Sequence, residues 1–410
     1  MEDLFKVKKL NIKNKVGNLK AEAHSVVKST KYFPTFEIDG KKYIFKPLSK
    51  TKPLTTPFFA FSEVFWSYIY RTYFDEFTPK YILAEVKGMS SEQPKYSEQG
   101  VLVESLTEDE EKLINLFDFY EENPDEKVNI KNYENYCIKS YDYTNIILSD
   151  YFQDNKEEGE KLAYQILLSI LRQDQNYHYE NVSLKETKSG YEVTPPIDFE
   201  FSTPFLYPDQ PNSYNTLQDN YRNCINIEYY IDPEYFVILD ALHENVGIPI
   251  VDATKANICL IVKQYPEVVK SFIKQVERLI QNLPNIKITD PDNFIGLLAS
   301  ENWLIGHAKY KENNLEKARE LEDAIKLKTI NKDELFNRII SDILSYSKFL
   351  VMILKTYLLS HYIGIEDLER LTLKDLFEKL NAGKDVTITD INVDTFEYKL
   401  IRVNEEKKTN

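Results

Sequence analysis

Arg172–Leu184 reads R-Q-D-Q-N-Y-H-Y-E-N-V-S-L, and P-P-I-D-F-E follows at Pro195–Glu200. An acid, a histidine and an asparagine thus come directly after an apolar helical segment, and a second acid comes after a short hairpin-like gap. Phosphoryl transfer to a hydroxyl needs such a set: one acid to orient the attacking hydroxyl, and hard oxygen donors to hold magnesium beside a triphosphate. Asp174 is the candidate for orienting the hydroxyl. Asn181 and Asp198 are the candidate magnesium ligands, with Glu200 placed to assist. His178 either holds the loop by hydrogen bonding or is a satisfied buried histidine. No second His or Cys lies near it in sequence, which argues against metal ligation.

The first hundred residues offer a partner set. Lys46 ends an apolar strand, Y-I-F-K-P, where a lysine is costly to bury unless paired. Glu63, on the next helical segment, is its natural partner, and a strand Lys held by a helix Glu can aim an ammonium at nucleotide phosphates. Ser29, Thr30 and Lys31 open a segment, Ser29–Thr35, read as a loop between two strands. It is either a glycine-free phosphate-covering loop or an ordinary polar hairpin loop. Val103, Glu104 and Ser105 end an apolar strand in the position where backbone groups of a hinge would meet an adenine edge.

The elements that must position these residues follow from the hydrophobic pattern. Leu4–Ile12 and Leu19–Val27 have β character. Tyr32–Ile38 and Lys41–Lys46 flank Asp39-Gly40, a strong hairpin signal. A polar loop, Pro47–Pro57, precedes an aromatic helix at Phe58–Phe74, and strands return at Lys80–Val86 and Gly100–Glu104. Beyond Ser105, Thr107–Leu116 reads as an acidic helix and Gly159–Arg172 as an amphipathic one. Short strands are expected at Val182–Leu184 and Gly190–Thr194. The rest is read as helical: Glu234–Leu242, Pro266–Leu283, Asp292–His307, Leu315–Lys328 and Lys332–His361. The expected class is α+β: a small β-sheet lobe with one key helix over 1–105, and a mostly helical lobe over 106–410.

Bulk properties narrow the function. The 410 residues suffice for two packed lobes, and 42% hydrophobic with 29% charged residues fits a globular chain. A net charge of −15 argues against nucleic acid as the main partner. Cys137, Cys224 and Cys259 form no C-x-x-C pair, so buried apolar thiols are expected rather than disulfides or zinc. No apolar run approaches a membrane span, and the first residues lack the apolar core of a signal peptide, so a cytoplasmic protein is expected. With 11 glycines in all, the chain holds neither G-x-G-x-x-G nor G-x-x-x-x-G-K-[ST].

Taken in order, these motifs resemble the HipA-like serine/threonine kinases of bacteria, including the shorter CtkA-type proteins. Y-H-Y-E-N at Tyr177–Asn181 is similar to that family's D-x-H-x-x-N loop, which phosphatidylinositol kinases share. D-F-E at Asp198–Glu200 resembles its metal-binding segment, I-F-K-P at Ile44–Pro47 its ATP-lysine strand, and Glu63 the helix partner. The resemblance spans roughly residues 20–360 and implies a bilobal kinase-like fold, ATP and Mg2+, and phosphorylation of a protein substrate. One position departs from it. The acid two residues before the histidine is here Asn176, so the role falls to Asp174 or the chain is a catalytically weakened relative. A nucleotide-binding pseudokinase acting by interaction, and a small-molecule or lipid-headgroup kinase, are the other readings. Ser49, Thr51, Thr55 and Thr56 lie between the Lys46 strand and the Glu63 helix, where phosphorylation would add negative charge.

Overall fold

Asp39 and Gly40 reverse the chain with φ of 53° and 75°. Two successive positive φ values match the twist of a two-residue hairpin. The computed structural model describes residues 5–22, 30–47, 56–74, 78–89, 97–105, 113–123, 143–172, 174, 179–188, 190–197, 199, 249–286, 316, 319–320, 323, 332–362, 364, 386–392 and 397–402.

The hairpin belongs to a six-stranded sheet. Its strands are β1 (Lys8–Asn11), β2 (Gly17–Glu22), β3 (Thr30–Ile38), β4 (Lys41–Pro47), β5 (Tyr81–Lys87) and β6 (Ser97–Glu104), in the spatial order β1-β5-β6-β4-β3-β2. Only β1 and β5 run parallel; every other pair is antiparallel. Thr30 and Lys31 therefore lie in a strand, opposite Glu22 and Ala21, and not in the loop expected from Ser29 onward. The β-branched and aromatic residues of T-K-Y-F-P-T-F favour a pleated strand over a loop.

Period-2 alternation gives the sheet two faces. Phe36, Tyr43, Phe45, Ala84, Val86 and Leu102 form a small cluster on one of them. The other carries Tyr81, Leu83 and Val101 into the main core against α1 (Thr56–Tyr73). Lys46 is the cross-strand neighbour of Val101, so it points toward α1. Gly100 permits this geometry, because a Cβ there would run into the Lys46 carbonyl and lie 2.7 Å from the Phe45 ring.

A second sheet joins β7 (Leu113–Asn115), β8 (Ser183–Thr187) and β9 (Gly190–Val193). Here the expected helix over Thr107–Leu116 is corrected. Leu113–Asn115 pairs with Lys185–Ser183, and α2 (Leu116–Glu122) starts only after Asn115, whose side chain caps the Asp118 amide at 2.7 Å. The remaining described helices are α3 (Thr144–Ile147), α4 (Asp150–Asp154), α5 (Lys156–Leu171), α6 (Pro249–Gln264), α7 (Pro266–Asn282) and α8 (Lys332–Tyr362). A terminal hairpin, β10 (Val386–Asn392) with β11 (Glu397–Arg402), stands where helix was expected to dominate. The expected helices over Glu234–Leu242 and Asp292–His307 lie outside the described residues, as do Cys137 and Cys224. Cys259 is buried.

One apolar cluster runs from Phe5 and α1 through α5, α6 and α7 to α8. Side chains of α5 and α7 close the C-terminal end of α1. Tyr164 and Gln275 donate to the Phe74 carbonyl at 3.0 and 3.3 Å, and Arg278 donates to the Thr72 carbonyl at 3.1 Å. They satisfy carbonyls that a helix end leaves without intrahelical partners. Gly100→Ala is expected to cost about 1–3 kcal/mol by overpacking. A thermal melt checks it, and an unchanged Tm would show that β6 and β4 have room to separate.

Candidate active site

Lys46 and Glu63 meet. The ammonium donates to Glu63 Oε1 at 2.8 Å. Glu63 is on the sheet-facing side of α1 with 4% of its side chain exposed, whereas Lys46 keeps 35%. A buried carboxylate is tolerated only with a charged or hydrogen-bonding partner. The pair thus pins the lysine at the sheet–helix junction, where its side chain stays partly exposed.

The segment that carries D-F-E is stapled to the same helix. Thr194 closes the β8–β9 hairpin, donating from both its amide and its hydroxyl to the Ser183 carbonyl at 2.9 Å. This brings the strand that follows Asn181 beside the strand that leads toward residue 198. Gln165 of α5 donates to the Thr194 carbonyl. Thr78 donates to the Pro196 carbonyl at 3.3 Å, and Ser62, the neighbour of Glu63, donates to the Phe199 carbonyl. Phe199 is fully buried, edge-on to Tyr70 and tilted against Tyr81, each at 5.4 Å. Asn181 ends a short 3-10 turn, Tyr179–Asn181, held by the edge contact of Tyr179 with Tyr143. Asp198 and Glu200 lie outside the described residues.

Arg172 joins these pieces, and the sequence reading passed over it as the end of a helix. Its side chain is 0% exposed, and Nε and Nη2 both donate to Asp174 Oδ2, the former at 2.9 Å. The guanidinium lies 4.8 Å from the Phe199 ring centroid and 5.9 Å from that of Tyr70. Nη1 reaches the Tyr70 hydroxyl at 3.4 Å, which itself donates to the Leu168 carbonyl at 2.7 Å. Burial works against the charge, but Asp174 and Tyr70 outweigh it and raise the arginine's pKa above its ordinary value. The R-x-D spacing after an apolar helix was the available signal.

Asp174, expected to orient an acceptor hydroxyl, instead faces inward. Its side chain is 1% exposed, and its amide donates to the Ser169 carbonyl at 3.0 Å, a C-terminal capping bond of α5. In this arrangement it is the counter-ion of Arg172, and reaching an acceptor would require breaking that pair. Asn176 and His178 lie outside the described residues, as do Ser29, Ser49, Thr51 and Thr55.

The expected hinge is engaged within the protein. The Glu104 and Ser105 amides donate to the Lys80 and Lys42 carbonyls at 2.9 and 2.8 Å, and Val103 pairs with both Ile44 and Tyr81. Those two amides are therefore committed, and an adenine edge would need donors from elsewhere. The Glu104 carboxylate gathers Lys41 at 2.5 Å, Arg71 at 3.3 Å and the Lys80 amide at 3.1 Å. Burial opposes its charge, yet Lys41, the Lys80 amide and Arg71 hold its carboxyl below the usual range. No group of three or more metal-ligating side chains occurs among the described residues.

No protein-family model matches the chain, and no curated protein matches it. Among solved structures it aligns with the crystal structure of a Helicobacter pylori proinflammatory kinase, CtkA. The TM-score is 0.39 and the identity 10%, over 77% of this chain and 99% of that one. At that distance the likeness assigns no role to any residue.

Two outcomes are expected. Asp174→Asn removes the carboxylate charge from a buried ion pair and should lose about 3–5 kcal/mol of stability, read as a lowered Tm. An unchanged Tm would remove the structural role. For Glu104 the folded pKa is depressed, so its stabilisation is present above the unfolded carboxylate pKa of about 4.3 and fades as pH falls through the folded value. Glu104→Gln should therefore melt below wild type at pH 7, with the gap closing as the pH falls below about 4. A gap of constant size down to pH 3 would contradict the ion-pair account.

Proposed function

We propose that the chain is an ATP- and magnesium-dependent phosphotransferase with a two-lobed, kinase-like arrangement, divided near residue 105, that acts on a protein hydroxyl. The observation that carries this reading is the Lys46–Glu63 pair: a strand ammonium held at 2.8 Å by a buried helix carboxylate. An ammonium fixed in this way is set to bind phosphate oxygens without reorganising, which is how such a charge stabilises a transferring phosphoryl group. The stapling of Phe199 to Ser62 supports the reading, because it ties the D-F-E segment to the helix that carries Glu63.

In this proposal Mg-ATP supplies the phosphoryl group. Lys46 would hold its phosphates, Glu63 would aim Lys46, and Asn181 with Asp198 would hold the metal through hard oxygens. Arg172 and Asp174 act as positioning residues that fix the loop against the D-F-E segment. His178 and Asn176 belong to that same loop. No helix among the described residues is long and apolar enough to cross a membrane.

The burial of Asp174 favours a second reading, a nucleotide-binding pseudokinase that acts by interaction. It retains the phosphate grip while its loop acid is spent on Arg172. Transfer of labelled γ-phosphate with magnesium separates the two. The enzyme reading expects incorporation by the wild type into itself or a hydroxyl-bearing protein, with loss on the order of 10²-fold in Lys46→Met. ATP binding without transfer supports the pseudokinase. Absence of both ATP binding and transfer would overturn the nucleotide site altogether.

A further inference from the structure

Phe5 sits in left-handed backbone, with φ of 74°, and is 3% exposed. A bulky residue is uncommon there and persists only where packing enforces it. The packing is a cluster of rings. Phe5 stacks on Phe61 of α1 with centroids 4.4 Å apart and 13° between the planes. Phe336, near the start of α8, meets both rings edge-on at 6.5 Å. Phe61 in turn lies parallel to Phe65, one helical turn along, at 6.0 Å. Stacked and edge-on pairs at such distances are favourable beyond the area they bury. The segment that begins at Phe5 thus joins the N-terminal half of α1 to α8.

The cluster lies across α1 from the Lys46–Glu63 pair. Phe61 and Glu63 are about 200° apart around the helix. Lys46 and Phe5 therefore hold α1 from opposite sides, and a shift of Phe61 carries Glu63 with it. The C-terminal end of α1 is tied by hydrogen bonds from Tyr164, Gln275 and Arg278. The far side of its N-terminal half rests on rings.

Beyond Phe5 the segment is thinly held. β1 has four residues, lies at the edge of the sheet and runs parallel to β5. Parallel pairing is slightly weaker per residue than antiparallel. Leu10 packs with the small cluster on the other face of the sheet. Between these two anchors, a groove of about 490 Å³ separates the segment from α1, with Val7 on one wall and Val64 and Tyr68 on another. Val7 is accordingly only half-buried. Contacts not made across such a gap contribute no dispersion attraction. A short, strained edge segment with few buried contacts belongs to the low-stability end of a fold.

We propose that Phe5–Asn11 is a releasable strap, with Phe5 a positioning residue for Glu63 and, through it, for Lys46. When the strap is seated, α1 is braced on its far side and Glu63 meets Lys46. When it is released, the N-terminal half of α1 loses that brace and the ion pair loosens. The role toward Lys46 rests on the reading of that pair as a phosphate grip; the strap itself does not.

The test uses the full chain and two measurements, hydrogen–deuterium exchange by mass spectrometry and calorimetric titration with Mg-ATP. Phe5→Ala should speed exchange over residues 60–66 by about tenfold or more, the scale set by losing two ring contacts. It should leave α5 and α7 at wild-type rates. It should also weaken Mg-ATP binding by about fivefold or more, the low end of coupling between linked sites. In a Glu63→Gln background that second loss should vanish, because no carboxylate is left to aim; a merely structural role would persist there. Phe336→Leu keeps the apolar bulk and removes only the edge contacts. It should change both quantities in the same direction by a smaller factor, and it decides the matter if Phe5→Ala does not fold. Exchange over 60–66 that stays at the wild-type rate, or that rises equally in α5 and α7, would overturn the strap. An equal loss of affinity with and without Glu63 would overturn the positioning role. A wild type that binds no ATP refutes the phosphate grip instead, and the exchange pattern alone then decides the strap.

Discussion

The buried guanidinium of Arg172 is the constraint on which the rest of the candidate site depends. Removing an arginine from water carries a penalty of several kcal/mol unless its charge and donors are met. Here Asp174 supplies the counter-charge, Tyr70 a hydroxyl, and Phe199 a ring face at 4.8 Å. Those three groups come from the loop after α5, from α1 and from the D-F-E segment. None can shift alone without exposing part of an uncompensated cation to an apolar core. One residue therefore fixes the relative positions of three stretches that are far apart in sequence.

Helix α1 is the element they share. Its residues from Ala60 to Ser67 are all buried, as are Ile69 and Tyr70, the pattern of a helix that crosses a core rather than covering one. At 3.6 residues per turn, Glu63 and Tyr70 lie almost on one line along the helix. One meets Lys46 and the other meets Arg172. Val64, Tyr68 and Arg71 fall about a quarter to two-fifths of a turn away and line a groove between α1 and β5. The phosphate-holding candidate and the groove are thus two sides of one rigid rod. Its C-terminal end is fixed by Tyr164, Gln275 and Arg278.

What the sequence could disclose was local. The Asp39-Gly40 hairpin, the strand that carries Lys46, the helix that carries Glu63 and the α5 helix all follow from turn chemistry and periodicity within a few residues. The Lys46–Glu63 contact was legible because each residue is an anomaly on its own element, a charge among apolar neighbours. Arg172 was not legible, because an arginine at a helix end is unremarkable until its burial is known, and burial is a tertiary property. Leu113–Asn115 was misread for a related reason. Three residues carry too little periodicity to separate strand from helix, and the pairing with β8 decided it. The engaged amides of Glu104 and Ser105 were equally hidden, since partner carbonyls at Lys80 and Lys42 are set by sheet order and not by neighbouring sequence.

The fate of Asp174 bears directly on how such a site could work. Turning its carboxylate outward would break the buried Arg172–Asp174 pair, at a cost of about 3–5 kcal/mol. General-base assistance is worth about 10²–10⁴-fold, or roughly 3–5 kcal/mol. Phosphoryl transfer through a loose transition state draws mainly on positioning and charge stabilisation. The exchange would gain nothing. Kept inside, Asp174 instead holds the Arg172 guanidinium against the Phe199 ring. Any transfer by this site would then rest on how precisely Lys46 is set. That precision is what the ion pair, the Ser62 staple and the arginine clamp together provide.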